Sequence, residues 1–369
     1  MSLSSSSDPG SSPASQPRTK WQMAVLFGVA GSIVVAVLVL AFLWPTKTSE
    51  TKNLPVSIAG PSQSVAALEK AMEKASPDVI DFVPAASRGD AVDQIRGRDT
   101  YGAIVLGSTP GSAEVLTAPA GSAAATQILT GVATQLQAQL GQQVSAAGGD
   151  PSSVKVPVTA VVPLAESDPT GAGLAAASFP LMMGGMIGGI LTSLAVVGVI
   201  RRLVTLAGFG IATGLVLTLI LQPWFDYLQG NFWLNAAGMG LSVVATSAFI
   251  VGCTSLLGRS GIAIGAVFTM LIGNPISAAA TPWQFLAQPW GAIGQYLVPG
   301  AGNNLIRTLS YFPDANAAQQ WLTLAGWVVL GVILALVGHH RSQPEMQITE
   351  ATLDTNTPDT NDSAAVATS

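Results

Sequence analysis

The chain has 369 residues, 49% hydrophobic and only 9% charged, with a formal net charge of −5 and a mean hydropathy of +0.50. Soluble domains carry about 25% charged residues, so this composition excludes an ordinary soluble domain and indicates an α-helical polytopic membrane protein. Much of the negative charge falls after Arg341, in Glu345, Glu350, Asp354, Asp359 and Asp362, and no Lys/Arg-rich patch with interleaved aromatics occurs, which argues against nucleic acid as a partner.

Residues 1–20 are rich in Ser, Pro and Gly and read as a disordered cytoplasmic tail. Residues 21–44 are uncharged and long enough to cross a bilayer, which takes about 20 apolar residues. Phe42, Leu43 and Trp44 occupy the exit where a signal peptide would carry small residues, so this run reads as an uncleaved anchor. Arg18 and Lys20 before it place the N-terminus in the cytoplasm.

Residues 45–173 change character and alternate strand-like with helical runs. Strands are predicted at 54–60, 79–83, 101–107, 113–118 and 154–164, the last with Pro157 marking an edge. Helices are predicted at 64–75, from Ser87 to about Arg96 with Ser87 and Asp90 as a capping box, and at 122–142 with Ile128, Val132, Leu136 and Leu140 on one face. The alternation predicts one extracytoplasmic α/β domain with a partly parallel sheet, inserted between the first and second spans.

Five further spans are expected near 174–200, 203–222, 235–257, 261–280 and 321–338, six transmembrane helices in all, followed by a disordered acidic cytoplasmic tail over 341–369. Arg201, Arg202, Arg259 and Arg341 fall at expected cytoplasmic ends, and Trp44, Trp224, Trp233, Trp283, Trp290 and Trp321 at outer ends. The expected location is a bacterial-type cytoplasmic membrane with both termini inside and the lipid bilayer as the first partner. Gly184, Gly185, Gly188, Gly189, Gly210 and Gly214 form small-xxx-small pairs, which serve packing within the bundle or a face between subunits. Met182, Met183 and Met186 read as gap-filling side chains. Cys253, the single cysteine, reads as a small buried apolar residue.

Between the last two spans, residues 273–312 are apolar but broken. Irregular backbone at membrane depth needs protein or a water-filled cavity to satisfy its polar groups. This stretch is therefore the candidate pathway or lid, carried by Pro275, Pro282, Trp283, Pro289, Trp290, Pro299, Asn303 and Asn304, with short helices expected near 282–297 and 303–312.

Chemistry-bearing patterns are few. His339 and His340 are the only histidines and read as interfacial, so no catalytic triad, metal site or cofactor site is expected. The pairs Asp78/Asp81 and Asp90/Asp93 read as caps and solvated faces, and Gly60-Pro61-Ser62 as a connection. There is no phosphate-loop motif, and no Asp, Glu, Lys or Arg lies inside the five later spans away from their ends, which argues against proton coupling.

The stretches LPVSIAGP (54–61), RDTYGAIVLG (98–107), VLTAPAG (115–121) and 273–312, in this order of spans and domain, resemble type-2 ABC exporter permeases, and more narrowly the bacterial membrane proteins related to phage infection protein (Pip). The resemblance covers roughly residues 21–340. It implies six spans, a homodimer, and export of hydrophobic or cell-envelope material driven by a separate ATP-binding-cassette ATPase. The chain departs from that family in its short 199–203 turn, where a coupling helix is usual, and in its Ser/Pro/Gly-rich start. The alternative role is a non-transport envelope protein whose outer domain binds a partner, wall component or phage; an outer-surface enzyme using the aspartates is disfavoured, because the outer domain has no His and no Cys.

Overall fold

The computed structural model describes residues 20–109 and 112–341; both expected tails lie almost entirely outside the described residues. It is mostly helical with one small mixed sheet. Five helices are long and apolar enough to cross a membrane: Trp21–Thr48 (α1), Ala172–Ala195 (α5), Val199–Leu219 (α6, extended by a π turn to Trp224), Phe232–Leu257 (α7) and Ala318–Arg341 (α11). In chain order the sheet elements fall between the first two.

The fifth expected span, 261–280, is shorter. Arg259–Val267 (α8) runs into a π turn over Phe268–Gly273 and stops where Asn274 and Pro275 follow. At ~1.5 Å per residue these residues reach roughly 22 Å, short of the ~30 Å hydrocarbon core.

The sheet contains Leu54–Ala59 (β1), Ile80–Pro84 (β2), Gly102–Leu106 (β3), Ala113–Thr117 (β4) and Val158–Ala160 (β5), in the order β2-β1-β3-β4-β5. β1 pairs in parallel with β2 and β3, β3 and β4 are antiparallel, and β4 and β5 are parallel. β5 is an edge strand, as Pro157 predicts, but only three residues of the expected 154–164 run pair. Three helices accompany the strands: Ser62–Ala75 (α2), Arg88–Arg96 (α3) and Ala123–Ala146 (α4). Ser87 caps α3 by accepting from the Asp90 amide at 3.1 Å. The buried stripe of α4 runs through Ala125, Leu129, Val132, Ala133 and Leu136, sharing Val132 and Leu136 with the expected one and turned slightly from it. Ile128 and Leu140 are only half-buried against it.

Strand side chains alternate between faces, and the two faces have different fates. Ile104 and Val115 join Leu54, Val56, Ile58 and the α4 stripe in a core belonging to the sheet layer. Ala103 and Leu116, one residue along each strand, join Ile95 of α3 in a second core that continues into Leu174 of α5, Met239 of α7 and the helix Val298–Tyr311 (α10) through Ile306 and Tyr311. One apolar core therefore crosses the junction and seats the sheet on the bundle end formed by the start of α5, the end of α6 and the start of α7. Asp168 holds the entry to α5. It is 5% exposed, and its carboxylate accepts from the Gly173 amide at 3.0 Å and the Leu174 amide at 2.8 Å. Asp168→Ala should cost about 2 kcal/mol, since it orphans two helix-start amides, and Asp168→Asn less; thermal melts of the three proteins in one detergent compare them.

At the sheet surface Arg88 donates to both carboxylate oxygens of Glu114 (2.7 and 2.9 Å), and Thr159 donates to the same group at 2.8 Å. The hydrogen bond from Arg88 holds the Glu114 carboxyl below its usual range. A depressed folded pKa contributes stability above the unfolded value, lost as pH falls through the folded one. Glu114→Gln should therefore flatten the acid limb of a stability–pH profile by a small amount, because the pair is largely solvated.

α7 is the hub. In its most hydropathic window 67% of residues are buried, against 39% for α5 and none for α1. At the end remote from the sheet, Arg202 clips three helices: Nε and Nη2 donate to the carbonyls of Val196 (2.8 Å) and Ser193 (3.0 Å), and Nη1 to Ser255 Oγ (3.2 Å).

Candidate functional site between the sheet and the bundle

The broken stretch supplies the roof of the site. It forms a 3-10 turn at Trp283–Phe285, a short helix Trp290–Gly294 (α9), and then α10. α10 begins five residues earlier than expected. Pro299 does not interrupt it: it lies in the first turn, where a missing N–H costs nothing. The segment folds back on itself, so that Gly273 lies against Pro299. Along α10, Gly302 packs on Ser242 and Leu305 and Leu309 pack on Gly238, so the helix rises beside the first half of α7 toward the sheet.

Two arginines meet there. Arg98, in the turn after α3, reaches α10: Nη1 donates to the Asn304 carbonyl at 3.1 Å and to Thr308 Oγ1, and the guanidinium lies 5.1 Å from the Phe312 ring centroid. Arg307 of α10 reaches the opposite way, donating from Nη1 to the carbonyls of Ala120 (2.7 Å) and Gly121 (3.1 Å) and from Nη2 to that of Ala279 (3.5 Å). Among the described residues no carboxylate pairs with either. Burial pulls the Arg98 pKa down to about 10, with Tyr101 opposing and the Arg307 charge assisting; it remains a cation at neutral pH. The backbone at Arg98 has φ +65°, a conformation that costs a non-Gly residue about 1–3 kcal/mol and persists only when its surroundings hold it.

The arginines line a small polar cavity of about 40 Å³ with Tyr101, Gln295, Asn303 and Asn304. Asn304 Nδ2 donates to Gln295 Oε1 at 3.2 Å, while its Oδ1 is buried with no hydrogen-bond partner. Next to it lies an apolar cavity of about 230 Å³ among α5, α6, α7 and α10, walled by Leu174, Leu181, Leu217 and Met239. Asn303 and Arg307 line both.

Of the sequence candidates, Trp283, Asn303 and Asn304 come together at the polar cavity. Pro282 is buried as the cap of the 3-10 turn. Pro275 is partly buried in the chain turn, while Pro289 and Trp290 are exposed. Trp290 instead borders an apolar groove with Trp44 of α1. The packing glycines divide as sharply. Gly185 and Gly189 lie on Thr246, Ser247 and Ile250 of α7, Gly188 on Phe209 of α6, and Gly210 and Gly214 on Val244, Gly240 and Ala236 of α7; Gly184 meets nothing. Five of the six thus serve packing within one chain.

Sequence reasoning missed Arg98 and Arg307. For Arg307 a signal existed, since it is the single charged residue between Arg259 and Asp314. For Arg98, on the far side of the chain, there was none. The four aspartates Asp78, Asp81, Asp90 and Asp93 are all exposed, and none of them lines the cavity. Gly60 allows close approach to Leu106 in its turn rather than framing a cavity. Among the described residues no group of three or more His, Cys, Asp or Glu side chains could hold a metal. Comparison of the chain with family models, curated proteins and solved structures gives no match.

Proposed function

We propose that this chain is a permease-like subunit of an export system for hydrophobic or cell-envelope material, energised by a separate ATP-binding-cassette ATPase and without a catalytic role of its own. The observation that supports this reading is the adjoining pair of cavities, one apolar among the helices and one polar beneath the sheet, with Asn303 and Arg307 common to both. An amphiphile leaving the bilayer needs that sequence of surroundings. In this reading the sheet lies outside, and the α8 segment with residues 274–281 completes a sixth crossing. Both termini are cytoplasmic, in keeping with Arg202 and Arg259 at the helix ends remote from the sheet.

A second reading, an envelope protein that binds a partner without a transport cycle, draws on the small inner surface. Only Val196, Val197 and Gly198 separate α5 from α6, and Gly258 alone separates α7 from α8. A photo-crosslinking residue at Val197, which is 81% exposed, separates the two. Export predicts capture of an ATP-binding-cassette subunit in intact cells and a vanadate-sensitive ATPase in the purified complex. An empty crosslink together with an unchanged envelope composition on gene deletion would sink it.

A further inference from the structure

We infer that the junction binds an anionic, phosphate-bearing amphiphile with a headgroup hydroxyl, its headgroup between Arg98 and Arg307 and its chain in the neighbouring apolar cavity. This names the substrate class within the export reading and rests on it for function, though not for binding.

Charge sets the first requirement. Two guanidiniums converge on one cavity, and no carboxylate neutralises them among the described residues. Their donations to backbone carbonyls tie α10 to the sheet layer but cancel neither charge. A buried cation without a counterion is costly, and a bound anion supplies what the chain omits. Arg98 hydrogen-bonds only through Nη1, so Nε and Nη2 have no partner among the described residues. Planar guanidinium forks match phosphate oxygens.

Asn304 Oδ1 adds a second requirement. It is a buried acceptor without a donor, and it favours a headgroup that also carries a hydroxyl, as a glycerol phosphate does. The third requirement is apolar. A dry cavity of about 150 Å³ holds a benzene ring, and the cavity here is larger, at about 230 Å³. Asn303, whose side chain makes no hydrogen bond among the described residues, stands with Arg307 where the two meet. A free phosphate satisfies the first requirement alone, and an uncharged lipid only the third.

The test is equilibrium binding to the purified full chain in a neutral detergent, followed by native mass spectrometry. The probes are phosphatidylglycerol, phosphatidylcholine with the same chains, and glycerol phosphate. One phosphatidylglycerol per chain is expected, at least tenfold tighter than either of the others. Asn303→Asp is nearly isosteric and places a carboxylate four residues before Arg307 on the same helix. It should weaken phosphatidylglycerol binding at least tenfold while leaving the lipid-free melting temperature unchanged or higher, because the cations gain a counterion. Ala177→Phe, which fills the apolar cavity, should weaken phosphatidylglycerol at least tenfold and leave glycerol phosphate as it was. If Asn303→Asp lowers the melting temperature, Ala177→Phe decides alone.

Equal affinity for phosphatidylcholine, glycerol phosphate binding as tightly as the lipid, or both variants binding like the parent would overturn the inference. None of these readouts uses transport or ATP hydrolysis, so loss of the ATPase partner leaves the binding site standing. Loss of lipid binding leaves export open for a different cargo.

Discussion

Gly294→Ala should lower stability by about 3 kcal/mol, at the upper end of the cost of forcing extra atoms into a packed interior. A Cβ at position 294 would sit 1.7 Å from the Ile276 carbonyl oxygen. Backbone cannot move aside there, because the same fold-back is closed twice more: Gly300 lies against the Gly294 carbonyl (2.1 Å from an added Cβ) and Gly291 against that of Trp283 (2.0 Å). The substitution pries the chain at Ile276 away from α9 and with it residues 277–281, which line the two-arginine cavity. The expected result is a large drop in melting temperature and loss of protection of Arg307 against an arginine-modifying reagent. Gly184→Ala is the control, because nothing lies within 4 Å of its added Cβ. If both variants melt with the parent, the fold-back of the broken stretch is wrong.

Gly214→Val should be comparably damaging, at about 3 kcal/mol, by separating α6 from α7. An added Cβ meets the Ala236 carbonyl at 2.4 Å and the Gly240 backbone at 2.9 Å, and a Cβ on Gly240 would meet the Gly210 carbonyl at 2.7 Å. The two helices touch backbone to backbone, which only small residues permit. The apolar cavity lies between these helices and α5, so the variant should also change its volume. A melt reads the stability, and the accessibility of a cysteine at Leu217, in a Cys253→Ser background, reads the cavity. Gly210→Ala should cost less, because the nearest atom to its added Cβ is the Val244 side chain, at 2.1 Å, and not backbone.

The membrane class, the mixed sheet and most element positions were readable before any coordinates because each rests on local physics. A run such as 21–44 has no charged side chain to keep it in water. The strands at 54–59 and 102–106 are short β-rich runs bounded by turn residues, and the Ser87 cap is a contact over three residues. The differences in helix bounds are local too. The 261–280 run has the composition of a span, but a π turn and then Asn274 and Pro275 stop it at Gly273. Pro299 looks like a breaker until it is placed in a helix's first turn. Gly252 and Gly331, which bring α7 and α11 together, carry no motif spacing with each other because they sit on different helices.

The cavity was out of reach for the same reason. Hydropathy and periodicity describe which face of an element avoids water, and they establish a membrane protein with a sheet between its first two long apolar helices. They carry no information about which distant segments meet. Arg98 and Thr308 are 210 positions apart, Arg307 and Ala120 187 apart. Packing alone turns two isolated arginines into one unneutralised site, because only the core shared between the sheet and α10 brings their charges to the same place.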